Sequence, residues 1–150
     1  MKTLRIYADT SVFGGCLDDE FSEESIAFFK EIQKGKFILV LSTTTMRELE
    51  EAPEDVKKIL SEIPVDNVEL IKFSNEIKEL RDAYLHANIL SKASIYDAEH
   101  IASASVAEVD MIISWNFKHI VHYDKIIQYH SVNLLHGYKP IAIYSPKQVV

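Results

Sequence analysis

The unbroken apolar run Phe37-Ile38-Leu39-Val40-Leu41 is the feature that most constrains how this chain folds. A strand with apolar side chains on both faces must be covered on both faces, and this is typical of the central strands of parallel sheets. Four further segments have strand length and composition: Leu4–Ala8, Val68–Ile71, Met111–Ile113 and Ile141–Tyr144. Val68–Ile71 is the weakest of them and is expected at an edge of the sheet.

Helical patterns fill the intervals between these strands. Ser22 is predicted to cap a first helix that ends near Gly35. Four more helices are predicted: Thr45 through Ala52, a helix that starts at Pro53, one that carries Ile77, Leu80 and Tyr84, and one from about Tyr96. Strands that alternate with helices indicate a three-layer α/β architecture with a mainly parallel five-stranded sheet. We expect residues 1–150 to form a single domain.

Composition restricts the class of protein further. Cys16 is the only cysteine, so no intramolecular disulfide and no cysteine-based zinc site can form. The chain has no apolar run near 18 residues and no signal-peptide pattern, so we expect a cytoplasmic protein with no membrane partner. The net charge of −7 argues against a non-specific nucleic-acid binder. That charge is uneven, because residues 1–110 have 12 Lys/Arg against 22 Asp/Glu, a net of −10, and residues 111–150 have a net of +3.

Polar and acidic side chains follow the ends of the predicted strands. Asp9 comes directly after the first strand, and Glu48 lies within the first turn of the helix that follows the second. Asp97 opens the helix that leads into the fourth strand, and Asn116 follows that strand. Ligands of an open parallel sheet bind beyond the carboxyl ends of its strands, where the strand order reverses. Three carboxylates and one carboxamide are therefore expected at one edge.

Each acid also has a purely structural interpretation. Asp9 is a suitable cap for a short turn, and both Thr45-x-x-Glu48 and Ser94-x-x-Asp97 fit the pattern of a helix capping box. Capping alone, however, does not predict that the acids fall beside strand ends in this order.

Four short blocks of the sequence resemble the signature blocks of PIN domains. They are Asp9-Thr10-Ser11, Thr45-Met46-Arg47-Glu48-Leu49, Tyr96 through Ala104, and Ile113-Ser114-Trp115-Asn116-Phe117. The closing Ile143-Tyr144-Ser145-Pro146 is similar to the last strand of that family. The resemblance implies a Rossmann-like parallel sheet and a metal-dependent endoribonuclease that leaves a 5′-phosphate and a 3′-hydroxyl. Many small members are toxins of type II toxin–antitoxin pairs.

The resemblance also assigns roles by position. Asp9, Glu48 and Asp97 would form the acidic cluster that binds Mg²⁺ or Mn²⁺, and Asn116 would replace the frequent fourth acid. Ser11 would be a polar neighbour of the metal. RNA is the implied substrate, and a cognate antitoxin and a second copy of the chain are the implied protein partners. The helices between Ser42 and Ala87 are the expected surface for an antitoxin or a homodimer.

The chemistry of these residues agrees with those roles. Hard divalent cations prefer oxygen ligands, and Mg²⁺ keeps several waters while it binds one or two carboxylates. Carboxylates that lie close together repel each other unless a cation neutralises them. We therefore expect the acidic cluster to be strained and to favour metal binding. Asn116 makes it one charge weaker, which argues against a tightly held second ion.

Neighbouring residues have less specific interpretations. Ser114 is placed beside the site, Trp115 would either stack on an RNA base or lie at the rim of the core, and Lys118 would either touch phosphate or begin a solvated helix. His100 either borders the site or packs between helix and sheet, and packing is the prediction. The His119-x-x-His122-x-Asp124 spacing is attributed to chance.

Two other functions remain open. A PIN-like binding or regulatory module without nuclease activity would explain Asn116 and the acidic balance. A phosphatase with Asp9 as nucleophile is disfavoured, because the haloacid dehalogenase-like pattern expects an Asp where Ser11 stands. Dinucleotide-binding, P-loop and serine-hydrolase motifs are missing.

Overall fold

The computed structural model describes residues 2–150 and contains a five-stranded sheet with helices on both faces. The strands are β1 (Leu4–Ala8), β2 (Phe37–Ser42), β3 (Val68–Ile71), β4 (Met111–Ile113) and β5 (Ala142–Tyr144). The helices are α1 (Thr10–Gly15), α2 (Ser22–Gln33), α3 (Thr43–Glu50), α4 (Glu54–Ser61), α5 (Asn75–His86), α6 (Ile95–Val106) and α7 (Tyr123–Leu135).

The strand order is β3-β2-β1-β4-β5, and all neighbouring strands are parallel. Ile6 of β1 lies opposite Leu39 of β2 on one side and opposite Met111 of β4 on the other. The chain adds strands in one direction from β1 through β3 and then returns to add β4 on the other side. The order therefore reverses between β1 and β4, and this places a crevice at their carboxyl ends.

Two apolar clusters cover the two faces of the sheet, because successive strand residues point to opposite faces. Tyr7 and Val40 pack with the buried faces of α5, α6 and α7. Ile6 and Leu39 pack on the other face with α1, α2 and α4. The apolar run of β2 is thus covered on both sides, and the predicted three-layer α/β architecture is confirmed.

Helix boundaries differ from the predictions where a cap lies elsewhere. The structure places Ser22 inside α2, with Phe21 at the N-cap position. Helix α3 begins two residues earlier than expected because the Ser42 side chain accepts the backbone N–H of Thr45 at 3.2 Å. The capping box therefore joins Ser42 and Thr45, and the predicted Thr45–Glu48 box is wrong.

The structure also contains two helices that were not predicted. Helix α1 has only six residues, two of them glycine, which weakens any helical pattern. Helix α7 keeps Tyr123, Leu134 and Leu135 exposed, so its apolar residues do not form a single stripe. Within residues 2–150, no helix has the length and apolar character needed to cross a bilayer.

Candidate metal centre

The predicted site residues lie around the crevice between β1 and β4. Asp9 follows β1 directly, and Ser114 and Asn116 follow β4. Helix α3 carries Glu48 and helix α6 carries Asp97 in its first turn. Four separate segments of the chain therefore contribute polar side chains to the carboxyl edge of the sheet.

Asp9 is buried, and its side chain does not cap a helix. The residue occupies the N-cap position of α1, but its carboxylate makes no capping hydrogen bond. Instead, Oδ1 accepts the Ser11 hydroxyl at 2.6 Å and Oδ2 accepts the Ser114 hydroxyl at 2.8 Å. Only 4% of Asp9 is exposed. Burial raises the pKa of Asp9 because the charged form loses hydration, although the charge of His100 and the two hydroxyls oppose that shift.

Backbone groups after β4 orient both of these hydroxyls. Ser11 Oγ accepts the backbone N–H of Trp115 at 2.9 Å, and Ser114 Oγ accepts the backbone N–H of Asn116 at 2.9 Å. Since each hydroxyl already accepts from an N–H, its own proton is free to point to Asp9. The loop after β4 thereby fixes both oxygens of the Asp9 carboxylate.

Glu48 faces the same region from the second turn of α3. Its Oε1 accepts the Thr10 hydroxyl at 2.9 Å and the Nε2–H of His100 at 2.5 Å. Burial alone would raise the pKa of Glu48, but the His100 hydrogen bond and charge lower it by more, with help from Thr10 and Arg47. Glu48 is therefore held in its charged form.

His100 combines the two alternatives given for it, because it packs in the core and also borders this centre. It does pack between α6 and the sheet and is only 2% exposed, but its ring also bonds Tyr7 Oη through Nδ1 at 2.6 Å. Burial lowers the pKa of His100, whereas Tyr7 and the carboxylates of Glu48 and Asp9 raise it well above its ordinary value. The sequence signal for a site role was the position of His100, three residues after Asp97 on the same helix face.

Asp97 pairs with His119, a contact that the sequence did not predict. Ser94 occupies the N-cap position of α6 without a side-chain cap, so the predicted Ser94–Asp97 capping box is not formed. Asp97 Oδ2 instead accepts the Nδ1–H of His119 at 2.8 Å. Asn116 Oδ1 accepts the backbone N–H of His119 at 2.9 Å and so positions that imidazole.

The flanking residues divide between core and surface. Trp115 is only 6% exposed, donates its indole N–H to Ser25 Oγ at 2.7 Å and stacks on Phe21. Of the two alternatives for Trp115, the structure therefore supports the core aromatic, since the ring is covered by Phe21 and is not exposed to a base. Lys118 is exposed and comes two residues after Asn116.

The chemical type of the donor atoms suits a hard divalent ion. Asp9, Glu48, Asp97 and Asn116 offer oxygen atoms, and Mg²⁺ needs only one or two carboxylates because it retains waters. Among residues 2–150, however, no group of three acidic, histidine or cysteine side chains converges as a ready metal-binding cluster. Each carboxylate is engaged by a hydroxyl or an imidazole of the protein.

The predicted repulsion between the acids is present but partly compensated, because the charge of Asp97 raises the pKa of Asp9 while the charge of His100 lowers it. His100 donates to Glu48 and its charge also acts on Asp9, so one cation already lies within the acidic cluster. His119 is the hydrogen-bond donor to Asp97. Any metal would bind to a cluster that the protein has already stabilised in part.

Comparisons with known proteins identify the fold. No protein-family model matches the sequence, and a search of curated proteins finds no match. Among solved structures, VapC20 of Mycobacterium tuberculosis, described as a sarcin-ricin loop cleaving toxin, is 10% identical with a TM-score of 0.58, and the match covers 91% of this chain and 98% of that one. FitAcB from Neisseria gonorrhoeae is 13% identical with a TM-score of 0.57, and the match covers 95% of this chain and 98% of that one. The chain has the PIN-type fold of these structures.

Proposed function

We propose that this protein is a metal-dependent endoribonuclease that hydrolyses RNA phosphodiester bonds. The observation that carries the proposal is the arrival of Asp9, Glu48 and Asp97 from three different elements at the crevice where the strand order reverses. None of the three side chains serves as a helix cap, although each had that interpretation in the sequence.

Asp9, Glu48 and Asp97 would hold Mg²⁺ or Mn²⁺, with Asn116 as a further oxygen donor. A bound ion of this kind lowers the pKa of a water molecule and offsets the charge that develops on the leaving oxygen. The protein supplies orientation: Ser11 and Ser114 fix Asp9, and His100 fixes Glu48 through Nε2. Lys118 is exposed two residues after Asn116 and would contact a substrate phosphate.

Calorimetric titration with Mn²⁺ and an RNA cleavage assay test this proposal together. We expect wild type to bind Mn²⁺ and to leave a 5′-phosphate and a 3′-hydroxyl, and Asp9→Asn to lose both activities. Asp9→Asn keeps the side-chain volume, and circular dichroism checks that it folds. A wild type that binds no metal and behaves like Asp9→Asn would refute the nuclease.

Toxin activity within a type II toxin–antitoxin pair is the biological role that we propose for this nuclease. Support comes from the VapC20 structure, which has the same fold and is described as a sarcin-ricin loop cleaving toxin. Expression of wild type is expected to arrest growth, Asp9→Asn is expected not to, and an adjacent gene for a small basic protein is expected to relieve the arrest. Growth that is unaffected by wild type would remove this role.

The protein partners would use the surface between residues 42 and 87. Val65, Leu70 and Phe73 in that segment are exposed, with Val65 the most accessible. We propose that this surface forms a homodimer or receives the antitoxin. Light scattering of the purified chain, alone and with the adjacent gene product, measures which assembly forms.

A binding or regulatory module without nuclease activity is the second candidate. It is favoured by Asn116 in place of a fourth acid and by the internal partner that each carboxylate already has. This module would bind RNA without cleaving it in Mg²⁺ or Mn²⁺, and the same cleavage assay separates the two functions.

A further inference from the structure

A cleft of about 270 Å³ lies beside Glu48, between α3 and the start of α6. Its walls are formed by Thr44, Arg47, Glu48, Glu51 and Tyr96. The first four recur at i, i+3, i+4 and i+7, which places them along one face of α3. Its volume is just below the roughly 300–1,000 Å³ of pockets that enclose drug-sized ligands. The cleft therefore suits one group of nucleobase size.

The walls of the cleft differ in what they offer a ligand. Tyr96 is 51% exposed, so a face of its ring is accessible. Arg47 and Glu51 are exposed and provide opposite charges. Thr44 is buried and its hydroxyl is already donated to Glu99, so it contributes shape only. The free groups are thus one aromatic face, one fork of N–H donors and one carboxylate.

We propose that this cleft is a base subsite for an unpaired guanine of the RNA substrate. Unpaired bases are recognised by stacking on aromatic side chains and by hydrogen bonds to their edges. Guanine accepts an arginine fork at O6 and N7 and donates from N1 and N2, which matches Arg47 and Glu51 together. Adenine presents its N1 lone pair where guanine has an N–H, so it would face the Glu51 carboxylate with repulsion.

The cleft joins the candidate metal centre through Glu48. Glu48 lines the cleft and also accepts His100 within the acidic cluster, and the charge of Arg47 lowers the pKa of Glu48. A guanine held on Tyr96 would therefore lie next to the phosphodiester presented to the metal centre. This inference rests on the proposed nuclease function and names its base preference.

Binding to RNA in EDTA tests the subsite without cleavage. The probes are fluorescent oligouridylates that contain one central guanosine, adenosine, cytidine or inosine, measured by anisotropy at low ionic strength because the chain is acidic. We expect the guanosine probe to bind about tenfold more tightly than the adenosine probe, as for one good bidentate contact. Inosine, which lacks the N2 amino group, is expected to fall between them.

Variants of the cleft have matched controls elsewhere on the surface. Tyr96→Ala is expected to weaken guanosine binding about tenfold, whereas Tyr96→Phe keeps the ring and the affinity. Tyr123→Ala removes another exposed tyrosine, on α7, as its control. Glu51→Gln is expected to reduce the preference for guanosine over adenosine. Arg47→Ala is expected to weaken guanosine binding more than Lys58→Ala, which removes the same charge from another helix.

The outcomes separate this inference from the proposed function. Equal affinity for the guanosine and adenosine probes, no measurable binding of any probe, or a Tyr96→Ala protein that binds as wild type does would overturn the subsite. If the protein cleaves RNA in Mn²⁺ but binds the four probes equally, only the proposed subsite is refuted. If the protein prefers guanosine but does not cleave RNA, only the proposed nuclease function is refuted.

Discussion

The two ends of the parallel sheet both carry acids, but the acids have different partners. At the amino end, Asp110 accepts the backbone N–H of Arg5 at 2.8 Å and the Lys2 ammonium at 3.3 Å, and Glu69 pairs with the Arg5 guanidinium. At the carboxyl end, Asp9 is held by two serine hydroxyls. Each amino-end acid has an Arg or Lys partner of its own, whereas Asp9 and Glu48 share the single charge of His100 and still interact favourably with an added cation.

This difference distinguishes structural charges from candidate chemical ones. The amino-end pairs are partly exposed, and such pairs contribute little to stability. The carboxyl-end groups are buried or half-buried and connect four segments of the chain. Burial of several acids around a single imidazolium costs stability, and natural sequences retain that arrangement at functional sites.

The largest expected effect compares one acid from each end. Asp9→Asn should lower RNA cleavage at least about a hundredfold, because a catalytic metal contributes several kcal/mol to the transition state. Asp110→Asn should leave cleavage within about twofold of wild type. Single-turnover cleavage in Mn²⁺ measures both. Equal losses in the two variants would contradict the distinction between the two ends.

His100 should have the next largest effect on activity. His100→Gln removes the imidazolium that orients Glu48, and loss of such a supporting residue typically costs about 10–100-fold. His130→Gln is the control, because His130 bonds only the Ile141 carbonyl from α7. A positioning role predicts that Mn²⁺ affinity falls with cleavage. Unchanged Mn²⁺ affinity in His100→Gln, with normal folding, would contradict it.

The same contrast applies to stability in two ion pairs. Glu99 is buried, pairs with Arg81 at 2.9 Å and accepts Thr44, so Glu99→Gln should lower the free energy of unfolding by about 3 kcal/mol. The partly exposed Arg5–Glu69 pair predicts a loss of at most about 1 kcal/mol for Glu69→Gln. Urea denaturation measures both values. Similar losses in the two variants would show that burial does not determine how much an ion pair contributes to the free energy of unfolding.

The smallest expected effect is a pH dependence at the amino end. The backbone N–H of Arg5, with help from Lys2, lowers the pKa of Asp110 below its ordinary value of 3.8. A lowered pKa in the folded state stabilises the protein above pH 3.8, and that stabilisation is lost as the pH falls through the folded pKa. Asp110→Asn should therefore flatten the acid side of the stability curve, measured by denaturation between pH 2 and pH 6. An unchanged curve would contradict the assigned cause.

Much of the fold followed from local patterns. The β2 run required cover on two faces, and the segments 4–8, 68–71 and 111–113 matched the observed strands. Side-chain alternation and strand length are local properties, so a single sequence contains them. Helix α7 escaped prediction because its exposed apolar residues obscure the stripe that faces the core.

The sequence by itself determined which acids exist, that Asp9 and Glu48 come shortly after strands, and that Asp97 opens the helix before the fourth strand. Only the tertiary structure decided their partners. Thr10, His100 and Ser114 meet Glu48 and Asp9 across 38 to 105 positions of the chain, and His119 meets Asp97 across 22. Such contacts depend on how helices cross the sheet, and no local period encodes them. The cation within the acidic cluster, His100, therefore became visible only once α6 was packed against β1 and α3.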